Sequence, residues 1–138
     1  MLWDSISDFN CPATKNPPSM RVQGEVYVQT LNRDDCVFNA PLFCIRFTPK
    51  SYTHWCRCSG GVIILVLKGN ARLGLRQAPL KDFHAGDLIR ISPQQEHFIV
   101  AGQAGCTVLA ILTNLPNNCV SFGQEVDLQS FTSPPDVD

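Results

Sequence analysis

The stretch that most restricts this chain runs from Thr53 to Arg76, T-H-W-C-R-C-S-G-G-V-I-I-L-V-L-K-G-N-A-R-L-G-L-R. Inside it, Val62 to Leu67 is an unbroken apolar run. Such a run is too short to span a membrane and suits a buried strand. Ser59-Gly60-Gly61 breaks the chain before it. Gly69-Asn70 after it predicts a two-residue hairpin turn, because both residues tolerate the positive φ such turns demand. His54, Cys56 and Cys58 recur at every second position. On a strand, alternate side chains leave the same face. Three nucleophilic or metal-binding groups beside a buried hairpin therefore predict a pocket lined by strands.

The rest of the chain repeats this texture. Val22, Val26 and Val28 alternate with polar residues, as in a half-buried strand. Asn32 to Asp35 reads as a turn, and Phe43 to Thr48 as a strand. Pro49-Lys50-Ser51 turns that strand back toward His54. Asp82 to Gly86 is expected as an exposed loop, and Asp87 to Ile91 as a strand ending at Ser92-Pro93. His97 to Ala101 and Thr107 to Thr113 read as two strands around a turn at residues 102–105. Strands about every 8–12 residues, with no amphipathic helix, predict an all-β sandwich or barrel.

Prolines mark the ends. Residues 1–20, with Pro12, Pro17 and Pro18, are expected as an irregular N-terminal arm, with one helical turn near Ser5 to Phe9. Residues 21–113 form the barrel, and 114–138, with Pro116, Pro134 and Pro135, an extended tail. At 138 residues the chain is long enough to bury one core. Its net charge of −1 gives no reason to expect nucleic acid or an anionic membrane as partner. The pairs Arg72/Arg76 and Lys15/Arg21 read as solvated surface. Asp4 and Asp8 stand where a secretion signal would be basic and then apolar, so none is expected. The seven cysteines are an odd number, which implies free thiols in a reducing, cytoplasmic setting. Cys56 and Cys58 would have Cα atoms about 6.6 Å apart on a strand, the far end of what a disulfide spans.

Two motifs carry a resemblance. Residues 86–97 read G-D-L-I-R-I-S-P-Q-Q-E-H, and V66-L-K-G69 closes the earlier stretch. With these spacings the chain, over residues 40–113, resembles the cupins, small double-stranded β-helix barrels of the jelly-roll kind. T53-H-W-C-R-C-S-G-G-V62 is similar to the T-H-W-H-x-H-P-G-G-Q of small single-domain cupins related to carboxymuconolactone decarboxylase. The resemblance implies a divalent metal on two His, a Gln or Glu, and the His of the second motif. Those positions here hold Cys56, Cys58, Val62 and His97. Val62 cannot ligate.

Two readings follow. In one, Cys56, Cys58 and His97 form a thiolate-rich site suited to zinc or another divalent metal. His54 cannot join both cysteines, since strand residues i and i+4 lie roughly 13 Å apart. In the other, which is preferred, no metal is held, and small side chains leave room for an organic substrate. Cys56, Cys58, Val62 and Tyr52 then line the pocket. His97 is the general acid or base, with His54 in reserve. Ile91, one of Leu65 and Val66, and one of Val108 and Leu109 supply apolar walls. Arg46 and Arg90 interrupt apolar strands; if either points inward, its guanidinium would clamp a carboxylate or enolate. The resemblance implies a lyase, isomerase or cyclase acting on an aromatic or polyketide-like metabolite. It also implies a homodimer, and two features of this chain agree: residues 22–31 form a strand outside the motif core, free to exchange or to add to a partner sheet, and the tail after Asn114 is long enough to reach across. A thiolate-zinc enzyme and a non-catalytic binding module are the alternatives.

Overall fold

The computed structural model describes residues 13–31, 42–114 and 118–132. The helical turn expected near Ser5 to Phe9 and the turn at Asn32 to Asp35 lie outside them. The described residues form one curled sheet. Its strands are β1 (Thr14–Lys15), β2 (Val22–Gln23), β3 (Val26–Thr30), β4 (Leu42–Phe47), β5 (Tyr52–Thr53) and β6 (Cys56–Cys58). They continue as β7 (Val62–Leu75), β8 (Lys81–His84), β9 (Leu88–Ile91), β10 (His97–Leu112) and β11 (Val120–Phe122), before one helical turn, α1 (Gln129–Thr132).

The two long strands organise everything else. The first half of β10 lies between the second half of β7 and the short strands β5 and β6. Its second half lies between the first half of β7 and β4. β9 and β8 cover the outer edge of β7 in succession. Each long strand thus serves both halves of a closed wall.

This corrects two expectations. Gly69-Asn70 is not a hairpin turn: β7 runs straight through it. Residues 102–105 likewise lie inside β10. Gly69 and Gly105 have φ of 78° and 79° and meet across the strand pair, where the register slips between Ala101 and Cys106. A Cβ on Gly69 would strike the Gly105 carbonyl. Glycine at positive φ serves a bulge as well as a turn, and a bulge bends the sheet without ending it. Two smaller differences follow. Lys81–His84 is a strand against Asn70–Leu73, not an exposed loop. The segment after Asn114 is not simply extended, because β11 pairs with β6 and Val126 is buried.

Alternation decides what the wall encloses. Val62, Ile64 and Val66 turn inward from β7, and Val108 and Ala110 from β10. They join Ile89, Ile91, Ile99 and Cys58 in one aliphatic core. Each such side chain contributes about 1.5–3 kcal/mol by leaving water. Outside the wall, Trp55, Phe98 and Val126 form a second cluster with Phe131 packed against it. Phe98 lies edge-on to Trp55 at 4.9 Å and to Phe131 at 5.2 Å. Among the described residues no helix is long and apolar enough to cross a membrane.

Candidate functional site

His97 opens β10 and stands in register with Cys56 on one side and Leu75 on the other. Residues directly opposite each other share a sheet face. Cys56 Sγ therefore reaches His97 Nε2 at 3.4 Å, with the His97 carbonyl oxygen also at 3.4 Å. On the other side of the ring, Nδ1 lies 3.1 Å from the Gln95 carbonyl oxygen. A carbonyl can only accept, so Nδ1 carries the proton and donates it. The neutral ring is then left with Nε2 as an acceptor, aimed at the thiol.

Both partners are buried, with His97 3% and Cys56 8% exposed. Burial holds the His97 pKa below its ordinary 6.5, and the Gln95 bond only partly offsets this. Burial also pushes the Cys56 thiol up to about 12, helped by Cys58 and opposed by the Thr53 hydroxyl. Cys58 is pushed up to about 11 by burial. The pair is thus a neutral thiol facing a neutral imidazole. It is not the thiolate–imidazolium ion pair of an activated nucleophile. What it offers is a proton acceptor of fixed tautomer in an apolar setting.

The other expected residues fall into place around it or away from it. Cys58 shares the inward face of Cys56 and packs into the aliphatic core. Val62 is a buried wall opposite Ile91. Val66 and Val108, directly paired, face in, while Leu65 and Leu109 do not. His54 lies in the break between β5 and β6, so the strand that would align it with both cysteines is interrupted. Its Nε2 is 3.2 Å from Gln23 Nε2, and its Nδ1 is buried without a partner among the described residues. Tyr52 does not line the interior. Its hydroxyl reaches Glu125 Oε2 at 3.4 Å, at an outer cleft of about 420 Å³ that includes Val126 and Leu128. Arg46 and Arg90 are exposed, and the condition for a clamp is not met. Arg46 stacks on the outer face, 4.3 Å over the Tyr27 ring. Each arginine sits one residue from an inward-facing apolar neighbour, so alternation sends it out.

Among the described residues no three His, Cys, Asp or Glu converge to hold an ion, so Cys56, Cys58 and His97 are not brought together as a three-ligand metal site. Two groups escaped the sequence. Thr53 Oγ1 accepts from the Ile99 amide at 3.1 Å and so pins β5 beside the pair. Asn118 holds the turn before β7, bonding Gly60, Gly61 and Thr113. A lone Thr or Asn carries no spacing signal that would single it out.

The second motif now has a physical reading. Gly86 takes φ of 95°, and Asp87 Oδ2 accepts from the His84 amide at 2.8 Å, closing the turn between β8 and β9. Ser92 to Gln95 turns β9 into β10 and delivers His97 inward. A single all-β sheet curled in this way around an aliphatic core is a cupin barrel, and the chain has the fold of the cupin superfamily. No protein-family model matches the chain, and no curated protein does. Among solved structures it is similar to a cupin-like protein from Thermotoga maritima, with a TM-score of 0.78 and 25% identity over 93% of this chain and 95% of that one. It is also similar to the polyketide cyclase RemF from Streptomyces resistomycificus, at 0.72 and 20% over 92% and 88%. The DMSP lyase DddQ from Ruegeria pomeroyi shares the fold at 0.66 and 12%, over 80% and 60%.

Proposed function

We propose that the protein is a cupin-type small-molecule enzyme, a cyclase, dehydratase or isomerase of an aromatic or polyketide-like metabolite, working without a metal. The observation that carries this is the buried Cys56–His97 pair with its Nδ1–H bound to the Gln95 carbonyl. The likeness to a polyketide cyclase over nearly the whole chain supports the substrate class. The T53-H-W run, similar to that of carboxymuconolactone-decarboxylase-related cupins, supports the small-lyase reading.

His97 Nε2 is the base. To free it, the Cys56 thiol turns to its second acceptor, the His97 carbonyl oxygen, already at 3.4 Å. Nε2 then takes a proton from a carbon beside a carbonyl, and the electron pair moves onto that oxygen as an enolate. The resulting imidazolium keeps its Nδ1–H bond to Gln95, which stabilises the charge. In a dehydration, a β-hydroxyl leaves with that proton as water. In a cyclisation, the enolate carbon forms a bond to a second carbonyl, whose alkoxide takes the proton. Either way His97 returns to neutral. Because the pair is buried, turnover requires the barrel end around Cys56 and Leu75 to open.

The test uses a panel of aromatic β-polyketones and β-hydroxyketones, followed by mass spectrometry for loss of water or for isomerisation. His97→Gln and His97→Ala, each with an unchanged thermal midpoint, should lose roughly 10²–10⁴-fold in rate. Full activity in both would sink the role of His97. Elemental analysis finding near-stoichiometric zinc, iron, nickel or copper, lost in Cys56→Ser, would favour the thiolate-metal reading instead.

A further inference from the structure

A second site lies on the opposite face of the same strands. His97 pairs with Cys56 and Leu75, so the residue before it, Glu96, meets Arg57 and Arg76 on the outward side. Arg57 Nη2 lies 3.2 Å from Glu96 Oε2. Arg76 reaches Oε1 with Nε at 3.2 Å and Oε2 with Nη2 at 3.4 Å. Two guanidinium groups therefore share one carboxylate, and the group keeps one excess positive charge. Both arginines hold the Glu96 carboxyl below its ordinary range, Arg76 most strongly.

The cations are held, not free to sweep through solvent. The Arg76 guanidinium carbon lies over the Trp55 ring, 3.8 Å from its centroid. Trp55 is itself buried against Phe98. Arg57 commits one nitrogen to Glu96 and lines a cleft of about 300 Å³. Leu75 and Ala78 give that cleft an apolar side, and Gln95 a polar one.

We infer that this cleft binds a small monocarboxylate with an apolar or aromatic body, its carboxylate bridging Arg57 and Arg76 in competition with Glu96. Planar forks match a planar carboxylate, and stacking pre-orders one of them. Glu96 acts as an internal competitor that sets the affinity. The arginine row and the Cys56–His97 pair leave opposite faces of the sheet, and the cleft borders the pair only through Leu75 and Gln95.

Benzoate is the probe, titrated by calorimetry at low ionic strength against the wild type and variants, with neutral benzamide as control. Glu96→Gln should tighten benzoate by about two- to fivefold, the scale of one or two exposed ion pairs. Arg57→Gln combined with Arg76→Gln should abolish measurable binding, and added salt should weaken it in the wild type. Binding is read by calorimetry and not by turnover, which keeps this result independent of the proposed catalysis. The inference is overturned if neither wild type nor Glu96→Gln binds millimolar benzoate. It is also overturned if the double arginine variant binds as the wild type does, or if benzamide or inorganic phosphate binds equally well.

Discussion

At the scale of single residues, the decisive contact is 3.4 Å between a thiol and an imidazole nitrogen. Its consequences for stability have opposite signs at the two ends of the pH range. The His97 pKa is lowered in the folded chain, so the unfolded chain takes up more protons as the pH falls below 6.5. Its contribution is therefore present above that value and lost as the pH falls. The Cys56 thiol is raised from 9.0 to about 12 when folded, so only the unfolded chain ionises it from pH 9 upward. That contribution is lost as the pH rises. Thermal midpoints measured from pH 5 to 10 should form a plateau that drops on both sides. His97→Gln should flatten the acid side, and Cys56→Ser should shrink the alkaline drop, which the buried Cys58 and Cys106 thiols share. The same measurements on Arg90→Gln should overlay the wild type, because its side chain is exposed, while Arg46→Gln should cost no more than its stack on Tyr27, about 0.5–1 kcal/mol.

At the scale of elements, the long strands depend on places where a side chain will not fit. Gly69→Ala would place a Cβ against the Gly105 carbonyl at a backbone φ of 78°. The expected loss is about 1–3 kcal/mol, the usual range for overpacking or a strained backbone position. Gly74 is covered by the Phe98 ring, so Gly74→Ala forces that ring off Trp55 and Phe131. A comparable loss is expected, together with a changed near-ultraviolet aromatic spectrum. Urea unfolding measures both. Loss below 0.5 kcal/mol in either variant would show that the sheet relaxes around the added methyl.

At the scale of the whole molecule, the wall has two differently finished outer surfaces. Over β5, β6 and the start of β10 the C-terminal segment supplies cover through Val126, Leu128 and Phe131. Phe131→Ala should therefore expose Trp55, lower the thermal midpoint by several degrees and shift tryptophan emission to the red. Over β9, β7, β10 and β4 the outward residues Leu88, Leu65, Leu109 and Cys44 lie in one cross-strand row. Leu88 is 50% exposed. An apolar row of this kind suits contact with a second copy, and it is a better candidate than residues 22–31, whose strand β3 is already paired in its own chain. Sedimentation at tens of micromolar should give twice the 15.3 kDa chain mass, and Leu88→Lys with Leu109→Lys should return it to the single chain. A single-chain mass in the wild type removes this prediction.

The sequence by itself determined the all-β character, the turn at Ser92-Pro93 that ends β9, and the shared face of Cys56 and Cys58. Each of these follows from local rules, period-two alternation and turn chemistry, that act within a few residues. Only the tertiary structure decided the rest. A glycine at positive φ looks the same in a hairpin as in a bulge, and only the partner strand tells them apart at Gly69. Arg46 and Arg90 faced two options until strand register put their neighbours on the core side. The hydrogen bond that selects the His97 tautomer comes from a backbone carbonyl, which has no letter in the sequence. The Arg57–Glu96–Arg76 row joins three segments far apart in the chain, so nothing short of their pairing could reveal it.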